Sequence, residues 1–197
     1  MISEVIKIAP YFNQRPVLTD VFDGETAVII GSSLYAKREA FECIEKEKNP
    51  HIVGINDSPL ITGIRPDHWM SLHGDRIPAW LNMFEAMYKS PVVNNCITHS
   101  TNYSQFVDTL WMLSSLGGGS VGLAVIACAY MGYKRIILCG CPMDDTPRAT
   151  NYLIGCEHSH QKYTDCLSFF FSHREAIKSL GVRSMSGKTA KIFGRPW

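Results

Sequence analysis

The chain lacks the features that mark membrane proteins and nucleic-acid-binding proteins. It contains no apolar run of about 20 residues, the length that a membrane-spanning helix needs. It begins without the charged-then-apolar order of a signal peptide. It has no block of basic residues, and its formal net charge is only +1, so bulk electrostatic capture of nucleic acid is not expected. These absences predict a cytoplasmic protein with no membrane span and no nucleic-acid partner.

Paired cysteine motifs are absent as well. The seven cysteines are odd in number and several lie inside apolar runs, which favours reduced, buried thiols over a disulfide framework. Cys139, Cys141 and Cys156 lie near His158 and His160 in the sequence, but without the C-x-x-C spacing of zinc sites. The sequence therefore predicts no zinc site.

The composition is that of an ordinary globular protein with one sizeable core. The chain has 197 residues, of which 46% are hydrophobic and 19% charged, and this length suits one domain better than two. We predict a single domain over residues 1–197, with an N-terminal extension (1–24), a core (25–140) and a C-terminal part (141–197) that holds a lid-like loop.

Short β-rich runs alternate with amphipathic segments along the chain. The predicted strands are 25–30, 51–55, 67–72, 91–97, 135–139 and 182–185, and the predicted helices are 36–46, 77–88, 121–131 and 165–180. The type of the segment that ends at residue 116 stays open. This alternation predicts the α/β class: a single doubly wound, mostly parallel, Rossmann-like sheet with helices on both faces.

Polar residues and glycines follow nearly every predicted strand. These loops are Gly31-Ser32-Ser33, Asn56-Asp57, His73-Gly74-Asp75, Thr98-His99 and Pro142-Met143-Asp144-Asp145. Because the carboxyl ends of parallel strands meet at one edge, where open α/β sheets bind ligands, this edge is the predicted active site. The competing interpretation is that loops are polar in every α/β protein.

A run of three glycines precedes the most apolar predicted helix. Gly117, Gly118, Gly119 and Ser120 let an anion approach the backbone closely, and the first turn of a helix has unpaired N–H groups. This loop is a candidate phosphate cradle. The serines of the first loop either cap the next helix or donate to an anion, and Asn56 can donate and accept toward a base or ribose.

Three segments carry a resemblance to a known group of proteins. Residues 27–33 (AVIIGSS), 54–56 (GIN) and 119–140, which end in GYKRIILCG, resemble the bacterial CMP-sialic acid sialyltransferases. The same core is shared by the motility-associated-factor glycosyltransferase-like proteins and the archaeal pterin pyrophosphokinases. The resemblance implies a glycosyltransferase that takes a nucleotide-sugar donor, a CMP-sugar in the sialyltransferase-like case, and a small-molecule or glycan acceptor. By motif position it implies nucleotide contacts from Gly31, Ser32, Ser33, Asn56, Gly118, Gly119 and Ser120.

The resemblance also implies a histidine base that deprotonates the acceptor and tyrosines that hold the leaving phosphate. His158 and His160 are the candidate catalytic residues, and Tyr152 and Tyr163 flank them. Histidine suits the role because its unperturbed pKa of about 6.5 lies near working pH. Two alternatives stay open: these histidines are solvated loop residues, or the base is a histidine of another loop, His73 or His99.

Acidic residues at the predicted edge leave a metal-dependent alternative open. Asp57 and Asp144 belong to the predicted nucleotide-binding residues. No metal ligand is predicted, and Mg²⁺ is a cofactor only under the alternative function. The alternative functions are an Mg²⁺-dependent diphosphotransferase resembling the pterin pyrophosphokinases, with Asp144 or Asp145 at the ion, and a nucleotide-binding module without turnover. The sequence leaves donor, acceptor and homo-oligomer formation open.

Overall fold

A computed structural model describes residues 8–12, 21–22, 24–92, 96–102, 107–113, 117–149 and 161–197. The strands of this part of the chain are β1 (Ile8–Phe12), β2 (Thr26–Ile30), β3 (His51–Ile55), β4 (His68–Ser71), β5 (Ile97–Ser100), β6 (Thr109–Leu113), β7 (Arg135–Cys139) and β8 (Val182–Ser184). Its α-helices are α1 (Ala36–Lys46), α2 (Ser58–Thr62), α3 (Ile77–Tyr88), α4 (Gly119–Tyr130), α5 (Gln161–Ser172), α6 (Arg174–Ser179) and α7 (Gly187–Phe193).

The eight strands form one sheet in the order β1-β6-β5-β4-β3-β2-β7-β8. Strands β2 to β8 run parallel to one another, and only β1 is antiparallel, paired with β6 at the edge of the sheet. The order reverses at β2, whose neighbours are β3 on one side and β7 on the other. Ligands of such sheets bind at this reversal, outside the carboxyl ends of the strands.

Alternate residues of the central strands pack on opposite faces of the sheet. Val28 and Ile30 of β2 belong to the cluster that contains the buried residues of α1, whereas Ala27 and Ile29 belong to the cluster that contains α4. This alternation follows from the two-residue period of a strand. A third cluster joins β4 to α2 and α3. The predicted doubly wound α/β fold with helices on both faces is confirmed.

Most predicted elements lie where the sequence placed them. The predicted boundaries of α1, α3, β3 and β7 match the structure, and those of β2, β4, β8 and α4 differ by one or two residues. The open segment before the glycines contains β6. Strand β1 lies within the predicted N-terminal extension, and the proposed division into extension, core and C-terminal part stays a prediction.

The prediction for the fourth strand was wrong. The strand begins at Ile97, not at Pro91, and Thr98 and His99 lie inside it, not in the loop that follows. Val92 is buried beside α3, and its backbone N–H donates to the carboxylate of Glu85 at 2.9 Å. The two polar residues can occupy a buried strand because side chains elsewhere in the sequence supply their hydrogen bonds.

The predicted helix over 165–180 is two helices. α5 ends at Ser172 and α6 begins at Arg174, with His173 in the turn between them. The ring Nδ1 of His173 lies 3.0 Å from the backbone oxygen of Phe169. No glycine or proline marks this turn in the sequence, so composition gave no signal for it.

Candidate functional site

The loop after β2 is held against the loop after β7 at the strand reversal. The N–H of Gly31 donates to the oxygen of Cys139 at 2.8 Å, and the N–H of Ser33 donates to the oxygen of Gly140 at 3.1 Å. A Cβ on Gly31 would lie 2.5 Å from the Gly140 oxygen. Gly31 is therefore required by the contact between these two loops, and its contact with a nucleotide stays a prediction.

The two serines of the first loop have different partners. Ser32 is 8% exposed and its Oγ accepts a hydrogen bond from Nη2 of Arg148 at 2.6 Å. Ser33 forms a backbone bridge with Arg148, and its Oγ accepts the N–H of Tyr35 just before α1 at 3.3 Å. The Ser33 bond is a local turn before α1 and not the predicted helix cap, because the N-cap of α1 is Tyr35 and has no side-chain cap bond. Ser32 connects the loop to Arg148.

A buried glutamate supports the loop after β7. Glu39 on α1 is 3% exposed, and its Oε2 accepts the N–H of Gly140 at 2.7 Å. Gly140 has φ of +64° and a Cβ there would lie 2.5 Å from that of Ala36. Burial raises the pKa of the neighbouring Cys141 thiol to about 12, so this cysteine is not an activated nucleophile.

The side chain of Asn56 joins three elements at the carboxyl edge. Its Oδ1 accepts the hydroxyl of Ser71 at the end of β4 at 2.7 Å and that of Ser120 in the first turn of α4 at 3.1 Å. Asn56 has φ of +52°, a conformation that asparagine tolerates better than most residues. The structure thus brings together Asn56 and Ser120, two predicted site residues that are 64 positions apart.

The glycine loop is covered on one side by α5. A Cβ on Gly117 or Gly118 would lie 2.4 or 2.7 Å from the ring of Phe169, and one on Gly119 would lie 3.0 Å from the sulfur of Cys166. Gly118 and Gly119 have positive φ angles of 82° and 61°. These glycines therefore serve the turn into α4 and its packing on α5, and the phosphate cradle stays a prediction for the first turn of α4.

Asp57 is a buried acid at the same edge, directly after Asn56. It is 8% exposed, and its Oδ1 is shielded from solvent and has no hydrogen-bond partner in the described part of the chain. Burial raises the pKa of this carboxyl, although the charges of Arg148 and Arg76 oppose the shift. A perturbed carboxyl among polar side chains is a common property of ligand-binding sites.

Of the remaining predicted site residues, the structure describes Asp144 and Tyr163. Asp144 closes a turn, because its Oδ1 accepts the N–H of Thr146 at 2.9 Å. Among the described residues, no group of three or more His, Cys, Asp or Glu is placed to hold a metal ion. Tyr163 lies in α5. Tyr152, His158 and His160 lie outside the described residues, and their roles stay predictions.

Of the two alternative bases, only one lies at the predicted edge. His73 follows β4, and its N–H donates to Ser71 Oγ at 2.9 Å. His99 has no exposed surface, and burial lowers its pKa well below the usual range. His99 therefore belongs to the interior of the sheet and cannot meet a ligand at the rim.

His99 belongs to a buried chain of hydrogen bonds that runs toward the amino edge of the sheet. Trp111 Nε1 donates to His99 Nδ1 at 3.1 Å, and His99 Nε2 lies 3.0 Å from His68 Nδ1. The hydroxyl of Tyr133 lies 3.1 Å from His68 Nε2 and 2.6 Å from His51 Nδ1. Because the indole N–H can only donate, His99 Nδ1 accepts, and the neutral rings of His99 and His68 then carry their protons on Nε2.

Sequence reasoning missed two residues of the site. Ser71 occupies the last position of β4. In the sequence, a serine at this position looks no different from the polar residues at the ends of the other strands. Arg148 lies in a polar stretch with no recognisable motif. Both were missed because their partners, Asn56 and Ser32, are brought to them only by the sheet.

Comparisons with models of protein families and with curated proteins returned no match to this chain. The described helices are all too short or too polar to cross a lipid bilayer.

Proposed function

We propose that this protein binds a nucleotide or nucleotide-activated sugar at the carboxyl edge of its sheet and acts as a glycosyltransferase-like enzyme. The observation that carries the binding proposal is the position of Asn56, held by Ser71 and Ser120 beside the buried carboxyl of Asp57. The proposed transfer chemistry rests on the sequence resemblance.

Two features support a nucleotide as the ligand. The first turn of α4, a helix of 12 residues, supplies backbone N–H groups that favour an anion such as a phosphate. Asn56 and Ser120 add side-chain groups that can bind a base or ribose. Both lie at the edge where ligands of doubly wound sheets bind.

The proposed chemistry is transfer of a sugar from its phosphate to an acceptor hydroxyl. The C–O bond to the leaving phosphate breaks, a bond to the acceptor oxygen forms, and a histidine takes the acceptor proton. His158 and His160 are the proposed bases. Binding and orientation of the donor supply much of the rate enhancement, and the base adds about a hundredfold or more.

Thermal-shift titration with CMP, UDP, GDP and ATP, each with and without Mg²⁺, tests the binding proposal. A ligand that binds only the folded protein must raise its melting temperature. Stabilisation by CMP or a CMP-sugar without metal supports the glycosyltransferase, whereas stabilisation by ATP with Mg²⁺ alone supports the diphosphotransferase. No shift with any nucleotide would exclude the proposal.

Turnover is tested separately from binding. Release of the nucleotide from a CMP-sugar, followed by chromatography, is compared between the wild type and the H158A and H160A variants. We expect one of the two substitutions to lower turnover about a hundredfold with little change in donor affinity. Unchanged turnover in both variants would exclude these histidines as the base. Binding without turnover by the wild type would identify a nucleotide-binding module.

A further inference from the structure

We propose that Ser71 is a positioning residue that fixes the side-chain amide of Asn56 so that its NH₂ group faces a hydrogen-bond acceptor of the bound nucleotide. The inference rests on the proposed nucleotide site and names the chemical group that Asn56 binds there. That group is a carbonyl, hydroxyl or phosphate oxygen, or a ring nitrogen with a free lone pair, and not an amino group.

The direction of the Ser71 hydroxyl follows from its two partners. Its Oγ accepts the backbone N–H of His73 at 2.9 Å and lies 2.7 Å from Asn56 Oδ1. A backbone N–H can only donate, so the hydroxyl proton is available for the Asn56 oxygen. Ser71 has no exposed surface, so water does not offer that proton an alternative acceptor.

Rotation of the Asn56 amide by 180° would break this arrangement. The NH₂ group would then face Ser71, whose hydroxyl proton would be left buried with no described acceptor. A buried polar group without a partner is destabilising, because it loses its hydrogen bonds to water and gains none in the protein. Ser120 favours the same orientation of the Asn56 amide through longer hydrogen bonds. Its Oγ accepts the N–H of Leu72 at 3.2 Å and lies 3.1 Å from Asn56 Oδ1.

The NH₂ group of Asn56 is the end of the amide that remains for a ligand. Asn56 Nδ2 makes no hydrogen bond to any described residue, and it is not among the solvent-shielded polar atoms without a partner. Asn56 itself is half-buried at the carboxyl edge. The two N–H bonds of the Asn56 amide therefore have a fixed orientation toward the proposed ligand. A specific binding site needs this kind of pre-organisation.

The experiment compares S71A with S100A, a matched control in the neighbouring strand. Ser71 and Ser100 are register partners in β4 and β5, both are fully buried, and each accepts the backbone N–H two residues later. Only Ser71 contacts Asn56. For the nucleotide that binds the wild type most tightly, calorimetry is expected to show about tenfold weaker binding by S71A and a change below about twofold in S100A. S71T, which keeps the hydroxyl, is expected to restore the affinity.

The N56D variant tests the chemical class of the contact. Its carboxylate can accept both serine hydroxyls but has no N–H to donate, so at pH 8 we expect a folded protein that binds the nucleotide and its uncharged nucleoside at least about tenfold more weakly. Because the two carboxylate oxygens are equivalent, S71A should cause no further loss in the N56D background. Wild-type affinity in either S71A or N56D would overturn the inference.

A second readout separates this inference from the proposed function. If no nucleotide binds the wild type, the proposed function fails, and the orientation is judged from the NMR signals of the Asn56 amide protons alone. We expect one pair of signals in the wild type and in S100A, and a second or broadened pair in S71A. An unchanged single pair in S71A would show that Ser71 does not fix the amide.

Discussion

The carboxyl of Asp57 is a buried acid whose ionisation opposes folding. Burial raises its pKa above the ordinary value of 3.8, so the folded protein holds this proton more tightly than the unfolded chain does. The unfolding free energy therefore falls as pH rises from 3.8 toward the folded-state pKa, and the full penalty is present above it. A residue that destabilises the fold and lies at the proposed site is a candidate for ligand contact.

We predict that D57N raises stability and lowers nucleotide affinity. Removal of the buried charge should add about 1 kcal/mol to the unfolding free energy at pH 7, or roughly 3 °C in melting temperature. D75N, which changes an exposed acid of the next loop, is the control and should shift stability by less than about 0.5 kcal/mol. A less stable D57N protein would contradict this account of Asp57.

The tautomers of the buried histidines are a second prediction at this scale. His68 and His99 should both carry their proton on Nε2, because Trp111 donates to the Nδ1 of His99 and sets the direction of the chain. Nitrogen-15 NMR of the imidazole rings measures this directly. W111F removes the first donor and should cost about 1–3 kcal/mol of stability. An Nδ1-protonated ring at either position in the wild type would show that the chain runs differently.

At the scale of elements, the packing of α4 on α5 depends on glycine for two separable reasons. Gly118 has φ of +82°, and a Cβ there would meet the ring of Phe169 at 2.7 Å. Gly24 has the same φ of +82° with nothing within 4 Å of such a Cβ. The two glycines therefore share the conformational requirement and differ only in the space around them.

We predict that G118A destabilises the protein more than G24A. Alanine in this backbone conformation costs about 1 kcal/mol at either position, and the contact with Phe169 adds about 1–3 kcal/mol at position 118 only. Urea unfolding of the two variants measures the difference. Equal losses would mean that α5 moves aside easily, which would leave the glycine loop accessible to a ligand.

Elements with a strong local pattern could be predicted from the sequence, and those that depend on distant partners could not. The apolar spacing of α1 and α3 and the β-branched runs of β3 and β7 determine their bounds locally. β5 was misplaced because Thr98 and His99 look like loop residues. Their partners, the carboxylate of Asp108 and the ring of His68, lie on other segments.

At the scale of the whole molecule, the buried histidine chain makes stability depend on pH. Burial and the neighbouring His51 lower the pKa of His68 from 6.5 to about 4, and burial also lowers the pKa of His99 well below its usual value. Above pH 6.5 both rings are neutral in the folded and unfolded states. Below it the unfolded chain takes up protons that the folded protein does not, so stability is lost as pH falls from 6.5 toward 4.

We predict that the unfolding free energy falls by roughly 3 kcal/mol from His68 alone across this pH range, with a further loss from His99. Urea titrations at pH 7, 6, 5 and 4 measure the slope. An NMR titration should show the His68 ring still neutral at pH 5. A flat stability profile, or a His68 ring that titrates near 6.5, would contradict the burial of an uncharged chain.

The sequence by itself determined the α/β class, the alternation of strands with helices and the edge at which polar residues collect, because these follow from periodicity and from the direction of parallel strands. Only the tertiary structure decided which of those residues form hydrogen bonds with one another. Asn56, Ser71 and Ser120 lie on three segments and meet only when β3, β4 and α4 pack, since a hydrogen bond between side chains depends on distance in space. The glycine loop shows the same division, because its conformational freedom is local and its contact with Phe169 is not.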